Sequence, residues 1–168
     1  MQISRYIDPK LISLEMETSF EEEDADAPEL TSKKLFARKE LILSECVDLL
    51  DQSGNVCNRN KLLTDLVNRE RKTSTAIGKG IAIPHVRSMQ AREFIIGICR
   101  SIPGYDFDSM DGKPVHLFVA MAAPPYDDNL YLRVFKALAE IFHCGGFLDT
   151  VMEASIPYDI VRAVKELE

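Results

Sequence analysis

Several common equipments are missing from this chain of 168 residues. No apolar run approaches the roughly 20 residues that a helix needs to cross a bilayer. No signal peptide opens the chain, so a cytoplasmic protein without membrane insertion is expected. Basic residues are in deficit, 20 Lys and Arg against 27 Asp and Glu for a formal charge of −7. A general nucleic-acid binder needs a basic surface to neutralise phosphates, and that class is set aside. The four cysteines, Cys46, Cys57, Cys99 and Cys144, lie far apart with no Cys-x-x-Cys spacing. A disulfide framework or zinc site is therefore not expected. Cys46 and Cys99 fall inside apolar patterns and read as small core residues. The three histidines, His85, His116 and His143, show no metal-ligand spacing. There is no internal repeat and no linker dividing two domains. What remains is one domain over residues 1–168, with 46% hydrophobic and 28% charged residues, ordinary for a soluble globular protein.

The chain begins with a short alternating segment, Leu11 to Met16, that reads as an edge strand. Between Phe20 and Glu29, six of ten residues are carboxylates, too polar to build a core and read as a solvated loop. A helix follows, capped by Thr31 or Ser32, with Leu35, Ile42, Leu43, Cys46, Val47, Leu49 and Leu50 as its apolar stripe. Ser53-Gly54-Asn55 stops it. A second helix starts near Asn58 or Asn60, buries Leu62, Leu63, Leu66 and Val67, and carries Arg69 in its last turn. A cation there suits the helix dipole, which by itself accounts for Arg69. Farther on, Glu93 to Arg100 reads as a buried strand. Pro103-Gly104 and Asp111-Gly112 read as turns. Val115 to Ala122, an unbroken apolar run ahead of Pro124, reads as a central strand. Residues 128–142 are expected to be helical, as are Phe147 to Ala154 and a last segment capped by Ser155 with Pro157 in its first turn. Strands alternating with helices indicate an α/β fold, a mixed β-sheet sandwiched by helices.

The stretch from Thr73 to His85 is the most distinctive. Three hydroxyl residues, Thr73-Ser74-Thr75, lead through Gly78-Lys79-Gly80 into a brief apolar strand, Ile81-Ala82-Ile83, closed by Pro84 and His85. The glycines permit positive φ or close backbone approach. Pro84 offers no N–H to a ladder and should end the strand, leaving His85 at its end. Read from pattern alone, this is equally a hairpin whose histidine merely caps a strand.

The run from Arg69-Glu70-Arg71 through Gly78-Lys79-Gly80-Ile81-Ala82-Ile83-Pro84-His85 resembles the signature of the fructose/mannitol-type enzyme IIA domains of the bacterial phosphotransferase system, whose nitrogen-related branch is regulatory. A second block, Pro103 to Phe107 and Asp111 to Pro124, is similar as well. The resemblance covers nearly the whole chain apart from the acidic segment. It implies an enzyme IIA fold with an acidic insertion around 19–37. It also implies a phosphocarrier that accepts a phosphoryl group on His85 from phospho-HPr or its nitrogen-branch paralogue, without cofactor or metal. Implied onward partners are a regulatory target protein or an enzyme IIB. The regulatory branch is favoured, with a sugar-specific component and a non-transferring binding module of the same fold as alternatives.

Such chemistry needs a neutral imidazole nitrogen facing the incoming phosphorus, a partner on the other ring nitrogen and donors for the phosphoryl oxygens. Arg69 falls on the family's arginine and suits a dianion, being always charged and able to bind two oxygens at once. Ser74 and Thr75 hydroxyls are further candidate donors. One departure concerns Tyr131, which stands where the family commonly has a second histidine. Tyr131 is the remaining candidate phosphate-binding residue: a phenol can donate one hydrogen bond to the phosphoryl group but carries no positive charge at neutral pH. Thr73 and Lys79 are smaller departures, and Lys79 is expected in solvent. His116 is expected to be structural, and His143 to sit favourably at a helix C-terminus.

Overall fold

The computed structural model describes residues 1–20, 31–127 and 129–168. Among them the chain opens with two 3-10 turns, Ile3–Tyr6 and Pro9–Leu11. Six strands follow in the order β1 (Ile12–Ser13), β2 (Ala76–Gly78), β3 (Ile81–Ala82), β4 (His85–Arg87), β5 (Ile95–Tyr105) and β6 (Val115–Ala123). Helices α1 (Ser32–Asp51) and α2 (Arg59–Lys72) lie between β1 and β2. Helices α3 (Leu130–Phe142), α4 (Phe147–Glu153) and α5 (Pro157–Lys165) close the chain.

The strands form one mixed sheet in the order β1-β5-β6-β3-β2, with β4 also paired to β6. Strand β6 runs antiparallel to β5 and parallel to both β3 and β4. Its apolar run from Leu117 to Ala123 follows from burial on both faces. Leu117, Val119 and Met121 face the core shared with α3, α4 and α5, whereas Phe118, Ala120 and Ala122 face the core of α1 and α2. The helix–sheet–helix sandwich expected from the sequence is the fold observed. Cys46 and Cys99 are fully buried in the second core. Both helices of that layer start where the sequence places their caps. Thr31 accepts a hydrogen bond from the Lys34 amide and Asn58 from that of Lys61.

Four local expectations are corrected. Pro103-Gly104 is not a turn between elements: β5 continues to Tyr105, which pairs with Val115 past an irregularity. Gly104 has φ of +81°, and the His116 ring lies 2.7 Å from where a Cβ would stand. Ser155 does not cap α5. Ile156 holds that position, and the Asp159 carboxylate reaches back to accept the amides of Ser155 and Ile156. Of the segment Leu11 to Met16, only Ile12–Ser13 joins the sheet, as an edge strand parallel to β5. His85 does not end a strand. The apolar run pairs with β6 through Ala82, breaks at Ile83-Pro84, and resumes with His85 opposite Met121. Pro84 causes the break, but its carbonyl still accepts the Met121 amide, so the chain stays on the same neighbour. The acidic segment falls largely outside the described residues; of the insertion expected over 19–37, residues 32–37 form the first turns of α1.

Candidate active site

The approach to His85 is a tight hairpin. Strands β2 and β3 pair antiparallel with Gly78 opposite Ile81, leaving Lys79 and Gly80 as a two-residue loop. Both have positive φ, +57° and +78°, as the hairpin twist demands. Asp111 fastens the turn by accepting the Lys79 amide at 3.0 Å, along with the Lys113 amide and the Ser109 hydroxyl. These bonds hold its carboxyl below the usual range.

The break after β3 leaves the Ile83 carbonyl pointing at the imidazole, and His85 Nδ1 lies 2.6 Å from it. A carbonyl only accepts, so Nδ1 carries the hydrogen and Nε2 keeps its lone pair. The half-buried ring is held below its ordinary pKa of 6.5. Burial is the main cause, opposed by the Ile83 bond, with the Arg69 charge lowering it further and Glu70 raising it. At neutral pH the imidazole is therefore uncharged and its free nitrogen nucleophilic.

Arg69 comes from the last turn of α2. One guanidinium nitrogen donates to the Thr73 carbonyl, and Nη2 lies 3.4 Å from His85 Nε2. The guanidinium thus stands directly beside Nε2. Tyr131, from the first turn of α3, is buried, and its ring centroid is 5.7 Å from that of His85. Burial pushes its hydroxyl up to about 12, so it stays neutral. Phe135, one turn further along α3, packs its ring 5.0 Å from the imidazole.

The two hydroxyl candidates point elsewhere. Thr75 is buried, and its Oγ1 donates its single hydrogen to Glu70 at 2.7 Å. Ser74 Oγ donates to the Phe107 carbonyl and accepts from the Ala76 amide. Neither hydroxyl retains a hydrogen for an anion, because the loop uses both to fix its own backbone. Lys79 is exposed, with Nζ 3.3 Å from His143 Nδ1. His116 Nδ1 lies 3.1 Å from the carbonyls of Ser101 and Ile102.

Sequence reading missed Arg87. It lies two residues beyond His85 on the same strand, and its guanidinium stacks 5.0 Å from the Tyr131 ring centroid. Period-two alternation along β4 was the available signal, since i and i+2 share a face. Arg69, Lys72, Arg87 and Tyr131 together line an open groove of about 610 Å³ beside His85. Three cations and one carboxylate, Asp65, line this groove of an otherwise acidic protein. A neutral nucleophilic nitrogen, a fixed opposite tautomer and a cationic wall can receive an electrophile that carries anionic oxygens.

Among the described residues, no helix is long and apolar enough to cross a membrane. Comparison with known proteins places the chain. It is 36% identical over 128 residues to the fructose-specific EIIABC component of Bacillus subtilis, matching 76% of this chain but only 20% of that protein. It is 33% identical to the fructose-specific EIIA component of Haloferax volcanii, covering 78% and 85% of the two chains. A nitrogen regulatory protein of Pseudomonas aeruginosa is 25% identical over 77% of this chain and 84% of its own. The fold matches the nitrogen regulatory protein IIA-Ntr of Neisseria meningitidis at a TM-score of 0.80, with 23% identity and coverage of 98% and 99%. The mannitol enzyme IIA of Escherichia coli, solved in complex with phosphorylated enzyme IIB, matches at 0.72 with 15% identity and coverage of 95% and 97%. The family model described as "Phosphoenolpyruvate-dependent sugar phosphotransferase system, EIIA 2" matches residues 29–167, spanning the hairpin, the histidine and both helical layers. The chain belongs to the EIIA type 2 family of the phosphotransferase system.

Proposed function

We propose that this protein is a cytoplasmic phosphocarrier, a single EIIA unit over residues 1–168, that accepts a phosphoryl group on His85 Nε2 from a phospho-HPr-like donor. The observation that carries this reading is the pinned tautomer: Nδ1–H on the Ile83 carbonyl, Nε2 open beside Arg69. In the transfer, the Nε2–P bond forms as the donor's P–N bond breaks. The electron pair of the breaking bond stays with the donor's ring nitrogen. The donor's other ring nitrogen carries a proton throughout, so its ring passes from imidazolium to neutral imidazole as the His85 ring passes from neutral to imidazolium. The Nδ1 proton remains on the His85 ring, where Ile83 continues to accept it. Little covalent chemistry is asked of the protein beyond positioning and charge.

Arg69 is the phosphoryl-binding residue in this reading, and the hydroxyls of Ser74 and Thr75 are not. Tyr131 contributes a neutral wall and holds Arg87 beside the site. A regulatory role in the nitrogen-related branch is favoured by the likeness to nitrogen regulatory proteins in sequence and in fold. A sugar-linked role, with an enzyme IIB as acceptor, is the second reading, favoured by the higher identity to fructose-specific components and by the mannitol complex.

Incubation with phospho-HPr, and separately with the phosphorylated nitrogen-branch paralogue, tests the carrier. One acid-labile phosphoryl group should appear by mass, and His85→Ala should fold normally and accept nothing. Undiminished labelling of that variant refutes the assignment. No labelling of the unaltered protein by either donor leaves it a binding module of the same fold.

A further inference from the structure

Behind the histidine lies a buried charge pair that phosphoryl chemistry does not touch directly. Lys39 Nζ, from α1, meets Glu70 Oε1, from the last turn of α2, at 2.9 Å, with side chains only 3% and 0% exposed. The Phe107 ring covers the ammonium group at 4.6 Å. Burying such a pair carries a large desolvation cost, and well-packed apolar residues often replace one without loss of stability. Stability alone is therefore a poor reason for it.

Its bonds lead to His85. The Glu70 carboxylate accepts the Thr75 amide at 2.9 Å and the Thr75 hydroxyl at 2.7 Å. The Thr75 carbonyl accepts the Ile83 amide at 3.0 Å, across the hairpin. The Ile83 carbonyl accepts His85 Nδ1–H at 2.6 Å. Both carboxylate oxygens are thus used on one residue at the root of β2. That residue holds the amide of Ile83, whose carbonyl selects the imidazole tautomer. Arg69 is adjacent to Glu70 in the same helical turn, so the phosphate-binding cation and the hairpin root share one anchor.

We infer that Lys39 and Glu70 are positioning residues for His85, holding its tautomer and ring orientation through Thr75 and Ile83. This rests on the reading of Nε2 as the phosphoryl acceptor, although the tautomer itself is measurable without any donor. A charge pair suits the task because two oxygens at fixed spacing determine the Thr75 backbone more closely than apolar packing does.

Nitrogen-15 NMR of the His85 ring, alongside transfer kinetics, tests the inference on the full chain. The unaltered protein should show the Nδ1–H form alone. Removing both charges together, Lys39→Met with Glu70→Gln, leaves no orphaned ion. It should admit the Nε2–H form and slow phosphoryl acceptance per folded molecule about tenfold, within the cost of a misplaced reacting group. Binding of the donor protein should stay the same. Thr75→Val retains the charge pair and tests the link if the double variant does not fold; Thr75→Ser should restore the original tautomer. Arg71→Ala, which breaks an exposed pair with Glu40 on the same two helices, should leave the ring unchanged. A double variant, or Thr75→Val, with lowered melting temperature but the original tautomer and rate overturns the inference. Should no donor phosphorylate the unaltered protein, the functional reading falls while the tautomer comparison still decides the positioning role.

Discussion

At the scale of single residues, the site depends on keeping one nitrogen neutral and one cation close to it. Removing a charge-assisted partner costs about 1.5–3 kcal/mol, roughly ten- to a hundredfold in rate or equilibrium. Arg69→Ala should therefore lower the phosphorylated fraction by that factor. Arg69→Lys should recover only part of it, since an ammonium group cannot bind two oxygens through a planar fork. Unchanged transfer rate and phosphoprotein lifetime in Arg69→Ala would return Arg69 to its hydrogen bond with the Thr73 carbonyl alone. Protonation is the second control. Because burial, the largest influence, lowers the His85 pKa below 6.5, the ring should titrate with a midpoint below 6.5. Phosphoryl acceptance should then be insensitive to the His85 charge well above pH 6.5 and fall on acidification through the lowered midpoint. The linkage to stability has a definite sign. Between the folded midpoint and 6.5, the unfolded chain binds a proton that the folded chain does not, so His85 costs stability as pH falls through that window. Well above 6.5 the ring is neutral in both states and contributes nothing. A proton NMR titration of the ring checks the point; a midpoint above 6.5 would mean that Ile83 and Glu70 outweigh burial.

At the scale of elements, the hairpin that delivers His85 is held by backbone conformations few residues tolerate. Gly80 combines φ of +78° with a Leu148 methyl group 2.8 Å from where a Cβ would stand. Its carbonyl also accepts the amides of His116 and Leu117 on β6. Gly80→Ala should cost about 1–3 kcal/mol, the usual range for a side chain forced into that region, and should loosen the β3–β6 register ahead of the site. Chemical denaturation gives the stability, and amide exchange at Leu117 reports the register; no change in either would show that Leu148 yields freely. Much of this was legible in the sequence. Glycines around a lysine announced the turn, the largely apolar run from Val115 announced the central strand, and Thr31 and Asn58 announced their helix starts. What stayed hidden has physical causes. The Ser74 and Thr75 hydroxyls look alike in a sequence whether they face solvent or a buried carboxylate, and only the fold brings Glu70 beneath Thr75. Pro103-Gly104 has the composition of a turn, yet the sheet absorbs it as an irregularity because the His116 ring occupies the space a side chain would fill. The interval of one residue between Ile83 and His85 gives no sign that β3 and β4 share a neighbour, because the proline interrupts the pairing without redirecting the chain.

At the scale of the whole molecule, residues distant in sequence tie the layers of the sandwich together. Ser4 donates its amide and hydroxyl to the Glu168 carboxylate, at 2.9 and 2.6 Å, joining the two ends of the chain. Arg100 does the larger share. It is only 6% exposed, and its side chain donates to four carbonyls: Leu14 beyond β1, Val151 and Met152 in α4, and Ala154 just after it. Its own carbonyl accepts the Met16 amide. A cation at the carbonyl end of a helix is favourably placed, and here it also ties that helix to the N-terminal segment across the edge of the sheet. Arg100→Met keeps much of the apolar stem but removes the donors. Buried carbonyls left unpaired cost about 1–3 kcal/mol each. Against a domain stability on the order of 5–15 kcal/mol, that loss should lower the urea midpoint markedly at unchanged slope. Amide exchange should quicken together at Met16 and along α4, two regions linked through this one guanidinium group. His85 should keep its tautomer, because Arg100 stands opposite Leu117 on β6 whereas His85 stands opposite Met121. If the midpoint drops while Met16 and α4 exchange independently, Arg100 supports each region separately and the two are not braced to one another.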